Sequence, residues 1–360
     1  MELKIKTEKL KEMLSKSIKG ASNNKLIPLT SLMCLHLENG TFTITTTDAT
    51  NYLYIKEDNI TGDDFYVVVE VDTFSKLIAR LTCDEVVLTL KENSLEIIGN
   101  GTYNISIPLD DDGSMIKYPD PLASVELSGD GVEVNISTIA TILEAIKPAL
   151  ATTLEVPCYT SYYVGDRVVA TDTYKIASMN VKIFDEPKLI SPEMMNLVSV
   201  MTSEKIKITE KDNLLIFTSK DVAIYGTVFE GIGDYPIGAI SGLVESDFQS
   251  SCKVSKTAIL QVLDRLSLFV NEYDRNGINL TFTQSGLQIS SKSSNGVELV
   301  SYLENNNVSE FSCFIDIDML ITQIKANVGD SILIQYGGDN SAIKMIDGNI
   351  THIVALLQEE

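Results

Sequence analysis

The run KTEKLKEMLSKSI, residues 6–18, decides the fold. Its apolar positions Leu10, Met13, Leu14 and Ile18 recur at intervals of three and four with lysine and glutamate between them, which predicts one amphipathic helix. The same stripe returns in 74–81, 139–146, 194–201, 259–269 and 317–328, so the chain carries six such helices at intervals of about sixty residues. Most follow a short alternating strand that ends in a residue suited to cap the helix, namely Thr7, Asp72, Ser137 and Ser255. Ser191-Pro192-Glu193 is the clearest start, because a first-turn proline loses no hydrogen bond and an acid there meets the positive end of the helix dipole. Between the helices lie alternating stretches rich in Val, Ile, Thr, Tyr and Phe, broken by turns such as Asn39-Gly40, Gly165-Asp166 and Ser285-Gly286. Two helices per repeat of roughly 120 residues divide the chain into three domains of one α+β plan, 1–122, 123–247 and 248–360, with 110–121 and 231–248 as junctions.

Composition narrows the class of protein. A chain of 360 residues that is 44% hydrophobic can bury a large core. Neither a signal peptide nor a membrane-spanning stretch is expected. The five cysteines, Cys34, Cys83, Cys158, Cys252 and Cys313, are scattered with no C-x-x-C pair, which argues against a disulfide framework or a zinc site and suits a reducing cytoplasm. The net charge of −22, taken alone, speaks against a polyanionic partner. Its distribution qualifies that. Over the six helical segments, with borders drawn from the pattern, twelve basic residues stand against nine acidic ones. The helices are thus mildly basic within an acidic chain, and if they share one face, that face suits phosphate.

Catalytic chemistry is not visible. His36 and His352 both sit in apolar alternating segments and read as strand residues, so no Ser/His/Asp or Cys/His set assembles. Gly231-Ile232-Gly233 lacks the rest of a dinucleotide fingerprint, and no P-loop occurs. Asp110-Asp111-Asp112 reads as an acidic solvated turn, with no metal expected. The echo of Thr47-Asp48 in Thr171-Asp172 predicts a turn that hydrogen-bonds its own backbone.

An ordered set of segments resembles a known family. Ile27-Pro28-Leu29, Leu32 to Leu37, Asn39 to Ile44 and Thr47-Asp48 resemble the opening of bacterial β sliding clamps, the β subunits of DNA polymerase III. Ala170-Thr171-Asp172-Thr173-Tyr174-Lys175-Ile176-Ala177 is similar to the family's A-T-D-G-H-R-L-A segment, and Gly231 to Tyr235, Asn271-Glu272-Tyr273 and His352 to Leu357 continue the resemblance to the end. The resemblance implies a non-enzymatic processivity factor without cofactor: three DNA-clamp domains, each with two helices on antiparallel sheets, in a head-to-tail homodimeric ring around double-stranded DNA. Its implied partners are the replicative DNA polymerase, the clamp loader and other proteins with a clamp-binding motif, and no membrane.

Carried onto this chain, the resemblance implies a partner-peptide pocket of Thr171, Thr173, Tyr174, Lys175, Ile176, Ile240, Val354, Ala355, Leu356 and Leu357. The implied DNA-facing residues are Lys9, Lys11, Lys16, Lys19, Asn24, Lys25, Lys76, Arg80, Lys147, Lys205, Lys253 and Lys256. Ring closure would use Leu268 and Phe269 against Tyr103 and Ile105. Two departures bear on the site: Thr173-Tyr174-Lys175 replaces Gly-His-Arg, and the tail ends Gln358-Glu359-Glu360. They leave open a divergent phage or mobile-element member, and a clamp-like scaffold or decoy that binds proteins without loading on DNA.

Overall fold

In a computed structural model of the chain, residues 1–124, 131–211, 213–293, 295–338 and 340–358 are described; Glu359 and Glu360 of the tail lie outside them. The six expected helices are present: α1 (Thr7–Ser17), α2 (Val71–Ala79), α3 (Ile136–Thr141), α4 (Pro192–Val198), α6 (Lys256–Leu266) and α7 (Ile317–Ala326). A seventh, α5 (Ile237–Glu245), occupies the stretch expected to be a junction. Gly238 and Gly242, poor helix formers in isolation, hide its apolar spacing, and burial of Ile240 supplies the packing that overrides propensity.

One device occurs four times among the described residues: Phe311–Asp316 runs into α7 with Asp316 opposite Gly277 and Ile317 N–H donating to Asn276 O at 2.9 Å, and the other three copies have the same plan. The strand Glu2–Lys6 runs directly into α1, Val132–Asn135 into α3 and Ser250–Ser255 into α6. Each strand pairs antiparallel with a later one so that its last residue meets the first residue of the partner: Lys6 with Glu85, Asn135 with Lys205, Ser255 with Ser331. The first helical N–H then donates to the carbonyl just before that partner strand, Thr7 to Asp84 at 3.0 Å, Ile136 to Glu204 at 2.9 Å and Lys256 to Asp330 at 2.9 Å. This corrects the expected caps. Thr7, Asp72 and Ser137 lie inside the first turn, and α1 and α2 have no side-chain cap. For α1 the neighbouring loop supplies an acceptor that a capping side chain otherwise provides. Ser255 does cap α6, accepting from Ala258 N–H, and Asp316 caps α7, accepting from Met319 N–H.

The chain divides into two compact units, Met1–Ile139 with Glu193–Val228, and Ala140–Pro192 with Phe229–Glu360, so the middle third contributes to both. In the first unit, Val222–Thr227 lies antiparallel on Asn51–Glu57 and completes an eight-stranded sheet. In the second, Ile350–Ala355 lies antiparallel on Lys175–Met179 within a nine-stranded sheet. The second unit's main core gathers Ile259, Leu263 and Leu266 of α6 with Leu320 and Ile324 of α7 over Phe282 and Tyr336, whose rings stack at 3.7 Å. Each such fully buried aliphatic chain contributes roughly 1.5–3 kcal/mol of transfer free energy. Leu263→Ala is therefore expected to cost about 2–5 kcal/mol in urea unfolding, whereas Leu303→Ala, at a position 58% exposed, changes stability by less than about 0.5 kcal/mol.

Candidate functional site

The loop from Thr171 to Lys175 is a self-contained turn. Thr171 Oγ1 donates to the Lys175 carbonyl at 2.8 Å and accepts from Thr173 N–H at 3.1 Å, while Asp172 Oδ1 accepts from the N–H groups of Tyr174 and Lys175 at 3.0 and 2.9 Å. Thr47 to Asn51 repeats this bond for bond in the first unit, with Thr47 Oγ1 to Asn51 O at 2.7 Å and Asp48 Oδ1 accepting from Thr50 and Asn51 N–H at 2.8 and 2.7 Å. The turn predicted from the Thr-Asp echo is present in both places. Its central residues, Ala49 and Thr173, take φ of 82° and 83°, the left-handed region that glycine enters most easily. The turn thrusts Tyr174 outward, 60% exposed.

Strand pairing brings the tail to this loop. Lys175 pairs with Val354 and Ile176 with Ile353, after which Ala355 N–H donates to Tyr174 O, Leu356 N–H to Ser341 O and Leu357 N–H to Phe314 O at 2.8 to 2.9 Å. Ile176 and Ile240 join one apolar cluster with Ile353 and Ala342, in which Tyr163 and Tyr235 stack at 5.3 Å. The structure thus gathers the expected pocket residues but buries several. Thr171 and Val354 are closed off, Ile176 and Ile240 form a floor, and Leu356 packs partly against the main core. What faces solvent is Thr173 and Tyr174, with Ala355, Leu356 and Leu357 half-exposed. Lys175 is not a free cation, since it is paired with Asp172.

The sequence reading missed what holds α5 against this floor. Lys344, almost wholly buried, donates to the carbonyls of Val244 and Ser246 at 3.2 and 2.6 Å, where the dipole at the helix end favours a cation, and lies 4.8 Å from the centre of the Phe248 ring. Arg167 reaches Glu245 from the neighbouring strands at 2.8 Å. The one available signal was the echo of Tyr118-Pro119 in Tyr235-Pro236 just before α5.

The cations are less available than their count suggests. Lys9 pairs with Glu57 at 2.8 Å, Lys11 with Glu8 at 3.0 Å, Lys76 with Asp72 at 2.6 Å, Lys205 with Glu133 at 3.2 Å and Lys253 with Glu304 at 2.9 Å. Lys16, its side chain 12% exposed, is held by Asp221 at 2.9 Å and Glu12 at 3.2 Å. Burial works against its charge, yet Asp221 and Glu12 carry its pKa above that of an ordinary lysine. Lys205 and Lys253 also lie on strands, not helices, and Lys256 donates to the carbonyls of Lys325 and Asn327 at the end of α7. Lys147 sits in the turn Lys147–Ala149. Asn24 is spent on its own loop, accepting from Leu26 N–H at 3.0 Å. Among the described residues, Lys19, Lys25 and Arg80 are exposed and meet no carboxylate.

Among the strands that end a sheet, two stand near the residues expected at ring closure. Thr102–Ser106 ends the first unit's five-stranded sheet, with Tyr103 half-exposed and Ile105 turned into its own core, so Ile105 offers a neighbour backbone and not side chain. Val297–Val300 ends a four-stranded sheet in the second unit, with Val297 and Leu299 exposed. Beside it stand Leu268, 81% exposed, and Phe269, whose ring a methyl on Gly296 would meet at 3.1 Å. The second edge was not read from the sequence.

His352 confirms its reading as a strand residue. It is fully buried, its Nδ1 is 2.6 Å from Gln323 Oε1, and burial holds its pKa down at about 4. An unfolded histidine protonates near pH 6.5, so the unfolded chain binds the extra proton between these values. Stability is then full above about pH 6.5 and falls towards pH 4, by roughly 3 kcal/mol in all. Urea unfolding at pH 4.5 and 7.5 should show this loss in the native chain and a smaller one in His352→Gln.

The fold and these features define an α+β repeat protein; no helix among the described residues is long and apolar enough to cross a membrane. Residues 1–112 match the family model of the DNA polymerase III beta subunit, N-terminal domain. Over 100% of both chains, the structure is similar to the DNA polymerase sliding clamp of Bacillus subtilis (TM-score 0.87, 17% identity). The same coverage holds for the beta subunit from DNA polymerase of Streptococcus pyogenes (0.88, 15%) and the DNA polymerase III beta subunit of Thermotoga maritima (0.84, 17%). Among curated proteins no sequence matches. The chain has the fold of the bacterial sliding clamps.

Proposed function

We propose that the chain is a DNA sliding clamp, a processivity factor with no catalytic residue of its own. It would comprise domains 1–122, 123–247 and 248–360 and close head to tail with a second copy around duplex DNA in the cytoplasm. The observation that carries this is the likeness to clamp structures along the full length of both chains, joined to the family match over residues 1–112. Two sheet edges support closure. Pairing Thr102–Ser106 of one copy with Val297–Val300 of the other would cover Leu268, Phe269, Val297 and Leu299 and remove edges that otherwise invite aggregation.

A ring holds DNA by topology, so its lining needs only weak, sequence-blind contacts. The solvent-facing pairs of Lys11 and Lys76 suit that, because an exposed ion pair is worth about 0–1 kcal/mol and exchanges readily for a phosphate. Lys16, half-enclosed by two carboxylates, is a structural cation in this account. Retention on DNA is the test. Chain loaded on a nicked circular plasmid should co-elute with it through gel filtration and be lost when the plasmid is linearised; absence from both would favour the protein-binding scaffold.

The surface around Tyr174 and the tail would take a short apolar peptide from the polymerase, the loader or another partner. Leu356→Asp is a poor probe, since Leu356 also packs on the core. Tyr174→Ala is cleaner. Truncating an exposed aromatic anchor is expected to lower the affinity for a clamp-binding peptide of a bacterial replicative polymerase by about tenfold or more, with the melting temperature unchanged. Equal affinities in calorimetry would remove Tyr174 from the site.

A further inference from the structure

We propose that a cavity of about 470 Å³ beside α1, lined by Lys9, Lys56, Lys220, Thr202, Ser203 and Asp221, seats a backbone phosphate of the DNA. The inference rests on the clamp reading and adds to it a contact that the helical lysines do not supply.

The cavity's carboxylates are already engaged. Glu57 holds Lys9 at 2.8 Å, Asp221 holds Lys16 at 2.9 Å, and Asp58 accepts from Thr41 Oγ1 at 2.8 Å. Among the described residues, Lys56 and Lys220 meet no carboxylate, and the hydroxyls of Thr202 and Ser203 have no protein partner. What remains for a ligand is two ammonium groups and two hydroxyls, with Asp58 the one lining carboxylate that no cation balances among the described residues. That donor set matches a phosphodiester, whose two free oxygens accept from several directions and carry one negative charge.

The scaffold under the two lysines is rigid, and the chain contains its own comparison. Lys56 N–H donates to Asp221 O at 2.8 Å, just beyond the last paired residues Ile55 and Val222. In the second unit, Asn180 N–H donates to Asn349 O at 2.9 Å, just beyond Met179 and Ile350. The positions correspond one to one, so Lys56 stands where the second unit has Asn180, and Lys220 where it has Gly348. One backbone arrangement thus carries two unpaired lysines in one place and uncharged residues in the other. A turn alone does not require lysine, as the second copy demonstrates.

The test measures the salt dependence of binding of a fluorescent duplex oligonucleotide to the full-length chain, alongside retention on nicked circular plasmid. Each phosphate contact contributes about 0.9 to the slope of log affinity against log salt. Lys56→Ser/Lys220→Ser, which removes the seat of one phosphate, should therefore flatten the slope by about 0.9, so that between 50 and 200 mM salt it loses about three- to fourfold less affinity than the native chain. A control of equal charge change at exposed sites, Lys117→Ser/Lys182→Ser, should keep the native slope. A native chain that binds DNA while the Lys56/Lys220 variant keeps its slope would overturn the phosphate seat and leave the clamp reading standing. A native chain that neither binds the duplex nor stays on the nicked circle would overturn both. Loss of poly-glutamate binding with an unchanged DNA slope would reassign the cavity to an acidic protein segment and equally overturn the proposal.

Discussion

Backbone pairing at the edges of antiparallel sheets is the interaction on which the rest of the structure depends. An outer strand carries a row of N–H and C=O groups that must find partners in another strand or in water. The chain meets this demand twice internally, by laying Val222–Thr227 on Asn51–Glu57 and Ile350–Ala355 on Lys175–Met179. The register is equivalent in both, with Val222 opposite Ile55 and Ile350 opposite Met179. Among the strands that end a sheet in the described residues, Thr102–Ser106 and Val297–Val300 have no such partner. In the proposed ring, joining them between copies applies the same solution a third time.

Function in this account is a matter of what each junction carries. Both have the Thr-Asp turn with a left-handed central residue, so the turn itself is architecture. In the second unit it lifts Tyr174 beside a tail whose backbone is anchored at Tyr174, Ser341 and Phe314, and Lys344 fixes α5 over the same floor. In the first unit the matching turn offers Ala49 and Thr50, and the charge lies instead at the far end of the strand pair, on Lys56 and Lys220. The electrostatics follow a similar economy. Most helical lysines are balanced locally, which in the proposed clamp would leave DNA contact weak enough for sliding.

Periodicity was legible because packing imposes it. Leu10, Met13 and Leu14, or Ile259, Val262, Leu263 and Leu266, are buried as their spacing predicts. Helix α5 was not legible because two glycines interrupt its stripe and its stability comes from Ile240, Lys344 and Arg167. A resemblance assigns a residue to a site but not its depth, so Thr171 and Val354 entered the implied pocket although both are buried. Lys11 with Glu8 and Lys76 with Asp72 are one-turn pairs that helical spacing already offers, whereas the long-range contacts were invisible for a simpler reason. Asp221 lies 205 residues from Lys16, and the loop carbonyl that takes the place of a cap on α1 belongs to Asp84, a residue with no periodic signature.

Closure of the Thr102–Ser106 and Val297–Val300 edges between two copies is the central claim, and the mass of the chain in solution tests it most directly. Size-exclusion chromatography with light scattering at micromolar concentration should return the mass of two chains, with Phe269→Asp shifting the native-like protein to the mass of one. A single-chain mass for the unmodified protein, persisting as concentration is raised to tens of micromolar, would contradict it.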